Sequence, residues 1–336
     1  MLEVLFWLFV QAQNPKFAAG FAFYHAGDCA AAIKAFGESS QAGEQASTRS
    51  LYEGICLGTQ RAWSAAAAHL NPYAASHSRD ERAWYWLAQA ELHLKNFAAS
   101  REAILHAIAL RENSPDFYRT LGEIELELKN HQAAYGAWKK AEELNPGDFR
   151  TTFYLGRLFF DAAVFDEAAA RFRQTLKLAP RHFRAMTYLG LCSEQLNQSE
   201  SAIKLYRSAI AESIAQSNPY SWAFVDLAKL LRQTGQESEA FDVLRQAEKL
   251  CPDGHVLSLL GQMLASSEPD RAEALLRRAI TMDPDIADAH YRLASLLRAS
   301  GKTGEAQAEM KRFQEAKESE EHNRVKVTAL REGQHN

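Results

Sequence analysis

The chain has 336 residues, with 38 Lys and Arg against 42 Asp and Glu, and its formal net charge of −4 removes the general attraction to phosphate that broad nucleic-acid binding needs. Hydrophobic residues make up 47% and charged residues 24%, with 9 Pro and 17 Gly, which excludes a disordered or collagen-like chain and suits well-cored helices. Cys29, Cys56, Cys192 and Cys251 stand far apart with no C-x-x-C pair, so neither a zinc site nor a dithiol redox motif is expected, and the four read as small buried hydrophobes.

The first stretch, residues 1–12, admits two readings. "MLEVLFWLFVQAQ" holds an apolar run from Val4 to Val10 and a small-x-small sequence at Val10-Gln11-Ala12, as an export signal would, yet it carries Glu3 and no early Lys or Arg. It is either a weak or truncated export signal or an apolar segment packed on the first helices, so the chain is cytoplasmic or exported (periplasmic) accordingly. The run is too short to span a bilayer, which takes roughly 20 apolar residues.

From residue 13 onward one pattern recurs. Nine predicted units follow in chain order: 13–46, 47–80, 81–114, 115–148, 149–182, 183–220, 221–254, 255–286 and 287–320. A small residue recurs on the first half of each unit: Gly20, Gly54, Ala88, Gly122, Gly156, Gly190, Ala228, Gly261 and Ala294. A second small column runs Ala32, Ala66, Ser100, Ala134, Ala168, Ala202, Ala240, Ala272, Ala306. Four residues further on stands a large apolar column: Phe36, Leu70, Ile104, Trp138, Phe172, Tyr206, Leu244, Leu276, Met310. Small residues let two helices approach closely, and the bulky one a turn later fills the groove beside them. Apolar spacing at i, i+3 and i+4 gives each helix one buried stripe, as at Leu155, Leu158 and Phe159.

Stops and turns follow the same period. Pro146, Pro180, Pro252 and Pro284 end second helices, since proline disfavours helix at the residue before it. Inner turns carry Gly27-Asp28, Lys95-Asn96, Lys129-Asn130, Asn197-Gln198, Gly235-Gln236 and Gly301-Lys302. Irregularity is expected in the second unit, where Pro72 falls early in the closing turn and "TQRAW" forms the inner one. The sixth unit, extended by four residues around "SIAQSNPY", and the shortened eighth, at "ASSEPD", break the period too. Residues 321–336 read as a polar tail or capping helix.

These columns resemble the tetratricopeptide repeat, a helix-turn-helix of thirty-four residues. The resemblance implies an all-α fold: a right-handed α-solenoid superhelix of about nine repeats, occupying residues 13–320, with a concave surface lined by the first helix of every pair. It also implies a protein-protein interaction scaffold that holds a peptide or partner protein in that groove, and no enzyme. A helical-repeat RNA-binding protein is the alternative, with an all-helical toroid enzyme behind it. RNA reading needs a basic, code-like column along most units, and a toroid enzyme needs carboxylates at the helix ends of a closed ring; neither is seen.

Other signals point to no chemistry. "SGKTG" at 300–304 has Leu296 where a phosphate-binding loop needs glycine, and it follows a helix instead of a strand. Histidines such as His25, His69, His93, His106 and His131 are scattered over different units with no H-E-x-x-H, so surface or turn roles are expected and no metal or cofactor. Glu123 and Glu127 share one helix face as a solvated pair. Asn197-Gln198-Ser199 fits a glycosylation sequon, relevant only in a eukaryotic secretory lumen.

Function is therefore expected where exposed residues vary between units. The second, fifth, ninth and twelfth residues of each unit should face the groove. The first unit presents Phe17, Phe21 and Tyr24 there; units five to seven present Arg150, Phe153, Arg157, Phe160, Arg184, Trp222, Lys229 and Arg232. Arginines interleaved with aromatics are typical of binding hot spots, and their charge suits an acidic or mixed peptide. The clamp by which some family members hold acidic C-terminal tails needs asparagines where Thr120, Tyr154 and Tyr188 stand, so that partner is not expected.

Overall fold

The computed structural model describes residues 15–39 and 44–332, with the side chains of 44, 45 and 319–332 left aside. Residues 1–12, read above as a signal or packed segment, lie outside these. Every element among the described residues is an α-helix. The chain divides into two compact units, one ending at Gly147 and one beginning at Asp148.

The first unit holds α1 (Pro15–His25), α2 (Cys29–Gly37), α3 (Glu44–Thr59), α4 (Trp63–Ser76), α5 (Glu81–His93), α6 (Phe97–Leu110), α7 (Pro115–Glu127) and α8 (His131–Leu144). The second holds α9 (Phe149–Asp161), α10 (Phe165–Leu178), α11 (Phe183–Gln195), α12 (Ser199–Ala215), α13 (Ser221–Gln233), α14 (Glu237–Leu250), α15 (Gly254–Leu264), α16 (Pro269–Met282), α17 (Ala287–Ala299) and α18 (Thr303–Glu332). Within each unit consecutive helices pack as hairpins, and each hairpin's second helix packs on the first helix of the next. First helices also touch one another, α9 on α11, α11 on α13 and α13 on α15, so they share one face.

The residue columns explain the packing. A Cβ built on Gly156 would stand 2.8 Å from Phe172, one on Gly190 2.6 Å from Tyr206, and one on Gly54 2.6 Å from Leu70. Each clash is with the large apolar residue of the same hairpin, so the glycine is what lets that side chain lie across the first helix. Where alanine replaces glycine the pair is equally dry: Ala88, Ile104, Ala228 and Leu244 are all 0% exposed.

The inner turns share one device. Arg61, Lys95, Lys129, Ala163, Asn197, Gly27, Gly235 and Gly301 all take positive φ, each just past the end of a first helix, and Ser217 does the same between α12 and α13. At Ala163 the N–H of Val164 bonds the Phe159 carbonyl at 2.9 Å and that of Ala163 the Phe160 carbonyl at 2.8 Å, a Schellman ending that satisfies the last carbonyls of α9.

The irregular places take the forms below, and the expectations for two cysteines and for the histidines are corrected. Helix α4 runs on through Pro72 to Ser76. The additional residues of the sixth repeat lengthen α12 to 17 residues. Helix α18 continues past residue 321 as far as Glu332. Cys29 and Cys56 are not free buried thiols: they form a disulfide joining α2 to α3. Cys192 does behave as a buried hydrophobe, with burial pushing its thiol up to about 12. Nor are all histidines at the surface, since His290 is 2% exposed and its Nδ1 lies 2.6 Å from Glu309.

Candidate functional site

Helices α9, α11 and α13 set the side chains of the candidate face, and the first two start at a side-chain cap. Asp148 accepts the Arg150 N–H at 3.2 Å, and His182 Nδ1 accepts the Ala185 N–H at 3.0 Å. Burial and the neighbouring Arg184 charge lower the His182 pKa, which keeps the ring neutral and able to accept.

The fifth residue of these repeats does not face outward. Phe153 is 7% exposed, Thr187 2% and Val225 1%, whereas their neighbours Tyr154, Tyr188 and Asp226 are half-buried. Phe153 belongs to the core, its ring 5.8 Å from Phe172, 5.7 Å from Tyr188 and 4.8 Å from His182. The exposed stripe is rotated by one residue: positions two, six and nine keep nearly the same heading on a helix of 3.6 residues per turn, and position five falls behind them.

The remaining predicted residues are placed as follows. Arg150 is exposed with its guanidinium 5.6 Å from the Phe149 ring, and Arg184 is exposed 5.5 Å from the Tyr220 ring. Arg157 is half-buried, 5.9 Å from the Tyr188 ring, and Phe160 meets Tyr188 edge to face at 5.5 Å. Trp222 is 42% exposed and lies 4.6 Å from His255 in the next repeat. Lys229 is exposed. Arg232 is engaged within the fold, donating to Gln262 at 2.7 Å and lying 3.5 Å from Glu237. The structure thus gathers Arg157, Phe160 and Tyr188 into one cluster and Arg184 with Tyr220 into another, and it leaves Trp222 and Arg232 to contacts with the next hairpin.

Tyr188, Tyr220, Asp226 and Glu194 stand near the expected residues without having been singled out among them. Burial, then Tyr188 and Asp226, push the Tyr220 phenol up to about 12, while Arg184 and Arg157 oppose the rise; one phenol therefore senses both cations and the carboxylate. Asp226 is pushed up to about 7 by burial, with Glu194 adding and Lys229 opposing. Glu194 is raised by burial too and accepts a hydrogen bond from the Tyr206 hydroxyl. A cavity of about 650 Å³ adjoins Arg184, lined also by Phe149, Pro180, His182, Phe183 and Asn218.

Ion pairs occur on both sides of the hairpins: Arg82, Arg119 and Arg292 on first helices pair with Asp80, Asp116 and Asp288. On second helices and their ends, Arg181 pairs with Glu212 at 2.8 Å, Arg207 with Glu239 at 2.5 Å, and Arg277 with Glu305 at 2.5 Å. Arg150 and Arg184 on first helices make no ion pair among the described residues, and Lys229 acts on the carboxylates of Asp226 and Glu194 without closing one. No group of three or more potential metal-ligating side chains is found among the described residues. No helix among them is long and apolar enough to cross a membrane.

Hairpins locked by a small residue against a large one, stacked through their first helices, define a helical-repeat protein. The chain carries tetratricopeptide repeats. The family model described as Tetratricopeptide repeat matches residues 53–115 and 153–221, and one described as a domain of unknown function (DUF7017) matches residues 221–331. The chain is similar to cellulose synthase operon protein C of Xanthomonas axonopodis pv. citri (strain 306), 32% identical over 149 residues, which is 42% of this chain and 10% of that one. It spans less than half the length of the curated relatives it matches. Among solved structures it resembles the APC/C hetero-tetramer Cut9-Hcn1, with TM-score 0.62 and 13% identity over 81% of this chain and 52% of that chain. It also resembles the human IFIT1 dimer with m7Gppp-AAAA, with TM-score 0.56 and 13% identity over 89% and 80%. At that identity the likeness is one of fold.

Proposed function

We propose that the chain is a non-catalytic scaffold that binds a segment of a partner protein along the first-helix face of repeats five to seven. Arg150, Arg157, Arg184 and Lys229 receive the carboxylates of that segment, and Phe160, Tyr188, Tyr220 and Trp222 provide apolar contact. The observation that carries this is local to repeats five and six: Arg150 and Arg184 lie exposed beside aromatic rings and make no ion pair among the described residues, whereas Arg181 and Arg207 are paired with Glu212 and Glu239. Arginine stacked on tyrosine keeps its charge while presenting a flat, low-entropy surface, the combination that dominates interface hot spots. The partner is a protein and not a nucleic acid, since Asp226 and Glu194 interrupt the cations and the net charge is −4.

The test is affinity capture from source cells with the wild-type chain beside an Arg150→Glu, Arg157→Glu, Arg184→Glu variant. A protein retained by the wild type, released as salt rises and lost from the variant supports the scaffold. Retention unaffected by both salt and the reversal overturns it.

A further inference from the structure

A cavity lies where the sixth repeat breaks the period. Its second helix, α12, has 17 residues, whereas α10 and α14 close their hairpins with 14 each, so packing alone does not call for the added turn. That turn is tied down. Ser217 takes φ +54°, the Asn218 N–H donates to the Ser213 carbonyl at 2.9 Å, and the Tyr220 N–H donates to Ser213 Oγ at 3.3 Å. Gln216 Nε2 donates to the Arg181 carbonyl at 2.7 Å, and Glu212, one turn earlier, pairs with the Arg181 guanidinium at 2.8 Å. The extension is thereby held against the loop between α10 and α11, and Gln216 and Asn218 become part of the wall of the cavity of about 650 Å³. Phe149, Pro180 and Phe183 supply its apolar lining. Phe149 meets the His182 ring edge to face at 5.5 Å, and burial with the Arg184 charge keeps that ring neutral. Of the two arginines in the lining, Arg181 is engaged by Glu212, whereas Arg184 is exposed, 5.5 Å from the Tyr220 ring, and makes no ion pair among the described residues. None of the lining residues is acidic.

We propose that this cavity receives an aromatic side chain of the bound segment, with an acidic residue next to it in the segment paired to Arg184. This rests on the peptide-binding reading of repeats five to seven, and it says which side chains the segment must carry. Pockets that take a ligand group span about 300 to 1,000 Å³, so there is room for one ring with its flanking backbone. Aromatic rings favour edge-to-face contact with other rings, which Phe149 and Phe183 offer, and a guanidinium at the rim favours a ring over an aliphatic side chain. The charge of Arg184, unopposed within the lining, attracts a neighbouring carboxylate and repels a basic residue in the same place, so the site both selects and rejects. The hydrogen bonds of Ser213 and Gln216 fix the wall before the segment arrives, which lowers the ordering cost of binding.

The test is selection from a phage-displayed library of random linear peptides on the full chain, followed by affinity measurements on synthetic copies of the selected sequences. A recurrent aromatic residue beside Asp or Glu is expected. Replacing that aromatic residue by alanine should weaken binding to the wild type by about thirty-fold and binding to Asn218→Trp, whose indole fills the cavity from its exposed rim, hardly at all. A peptide with benzoylphenylalanine at the aromatic position should crosslink to residues 179–184 or 216–218 of the unaltered chain, an outcome that does not depend on how the variant folds. Selected peptides without the aromatic-acidic pair, or crosslinks that all fall elsewhere, overturn the aromatic pocket. Binding that persists in Asn218→Trp but is lost in the Arg150→Glu, Arg157→Glu, Arg184→Glu variant overturns the pocket and leaves the peptide-binding face standing. Failure to enrich any peptide overturns that face and the pocket with it.

Discussion

The ring of Phe172 lies across α9 at Gly156, so near that a Cβ on the glycine would stand 2.8 Å from Phe172 Cε1 and 3.0 Å from Cδ1. Gly156→Leu must displace a side chain that is 0% exposed. Overpacking of that kind costs about 1 to 3 kcal/mol, while removing a helical glycine returns roughly 1 kcal/mol, so a net loss is expected. Gly136 is the internal control: it lies inside α8 with nothing within 4 Å of its Cβ position, and Gly136→Ala should gain about 0.5 to 1 kcal/mol. Urea unfolding of the two variants measures both signs. A stabilised Gly156→Leu would show that this face of α9 is not packed as described.

Ala163 has φ +56°, whereas the matching inner turns after α1, α13 and α17 use glycine. An L-residue in the left-handed region is strained by roughly 1 to 2 kcal/mol because its Cβ crowds the following carbonyl. Ala163→Gly should therefore raise stability, by about 0.5 to 1 kcal/mol after the entropy of the unfolded glycine is counted. Thermal melts would show it as a higher Tm, and a lowered Tm would contradict the Schellman geometry at this turn.

What was legible in the sequence follows from what repeats. Gly156 and Phe172 recur as a pair at a fixed spacing in nearly every hairpin, so packing that is the same everywhere appears as columns. The direction of a first-helix side chain is set by a rotation of one residue, and no column distinguishes position five from position six: Phe153 reads as a binding aromatic until its burial is seen. Pairing between Cys29 and Cys56 was equally hidden, because their 27-residue separation says nothing of the 5.0 Å between their Cα atoms; that closeness comes from α2 packing on α3. Asp226 stood unnoticed beside the apolar run of α13, since its character comes from which groups on α11 and α12 reach it.

The Cys29–Cys56 disulfide ties the short helices α1 and α2 to the longer α3, and Thr59 donates a hydrogen bond to the Cys29 sulfur at 3.3 Å. Cross-linking residues this far apart removes chain entropy from the unfolded state worth on the order of 3 kcal/mol. In a repeat array that effect is local, because each hairpin depends on its neighbours only. Reduction is expected to lower the stability of the first hairpin and to leave α9–α18 unchanged. Hydrogen exchange with and without reductant is the measurement: faster exchange confined to α1 and α2 is the expected pattern, and no change would mean that these helices hold without the bond. The Cys29→Ser, Cys56→Ser variant should mimic the reduced protein.

Asp226 makes stability depend on pH with a sign fixed by its environment. Burial, with Glu194 adding and Lys229 opposing, holds its folded pKa at about 7, against about 3.9 in the unfolded chain. Across that window the folded state binds the additional proton, so the wild type gains stability as pH falls and loses it as pH rises through the folded value. The half-exposed setting, open to solvent screening, reduces the gross effect to about 1 to 2 kcal/mol. Asp226→Asn removes the titration and keeps the shape of the side chain, so it should exceed the wild type in stability by that amount near pH 8, with the gap closing toward about pH 4. His182, whose pKa is lowered and which therefore destabilises the fold as pH falls, is common to both proteins and cancels in the difference. Urea unfolding of the pair at each pH gives the comparison. If the wild type instead gains on Asp226→Asn as pH rises, the ionised carboxylate has a stabilising partner in the folded chain.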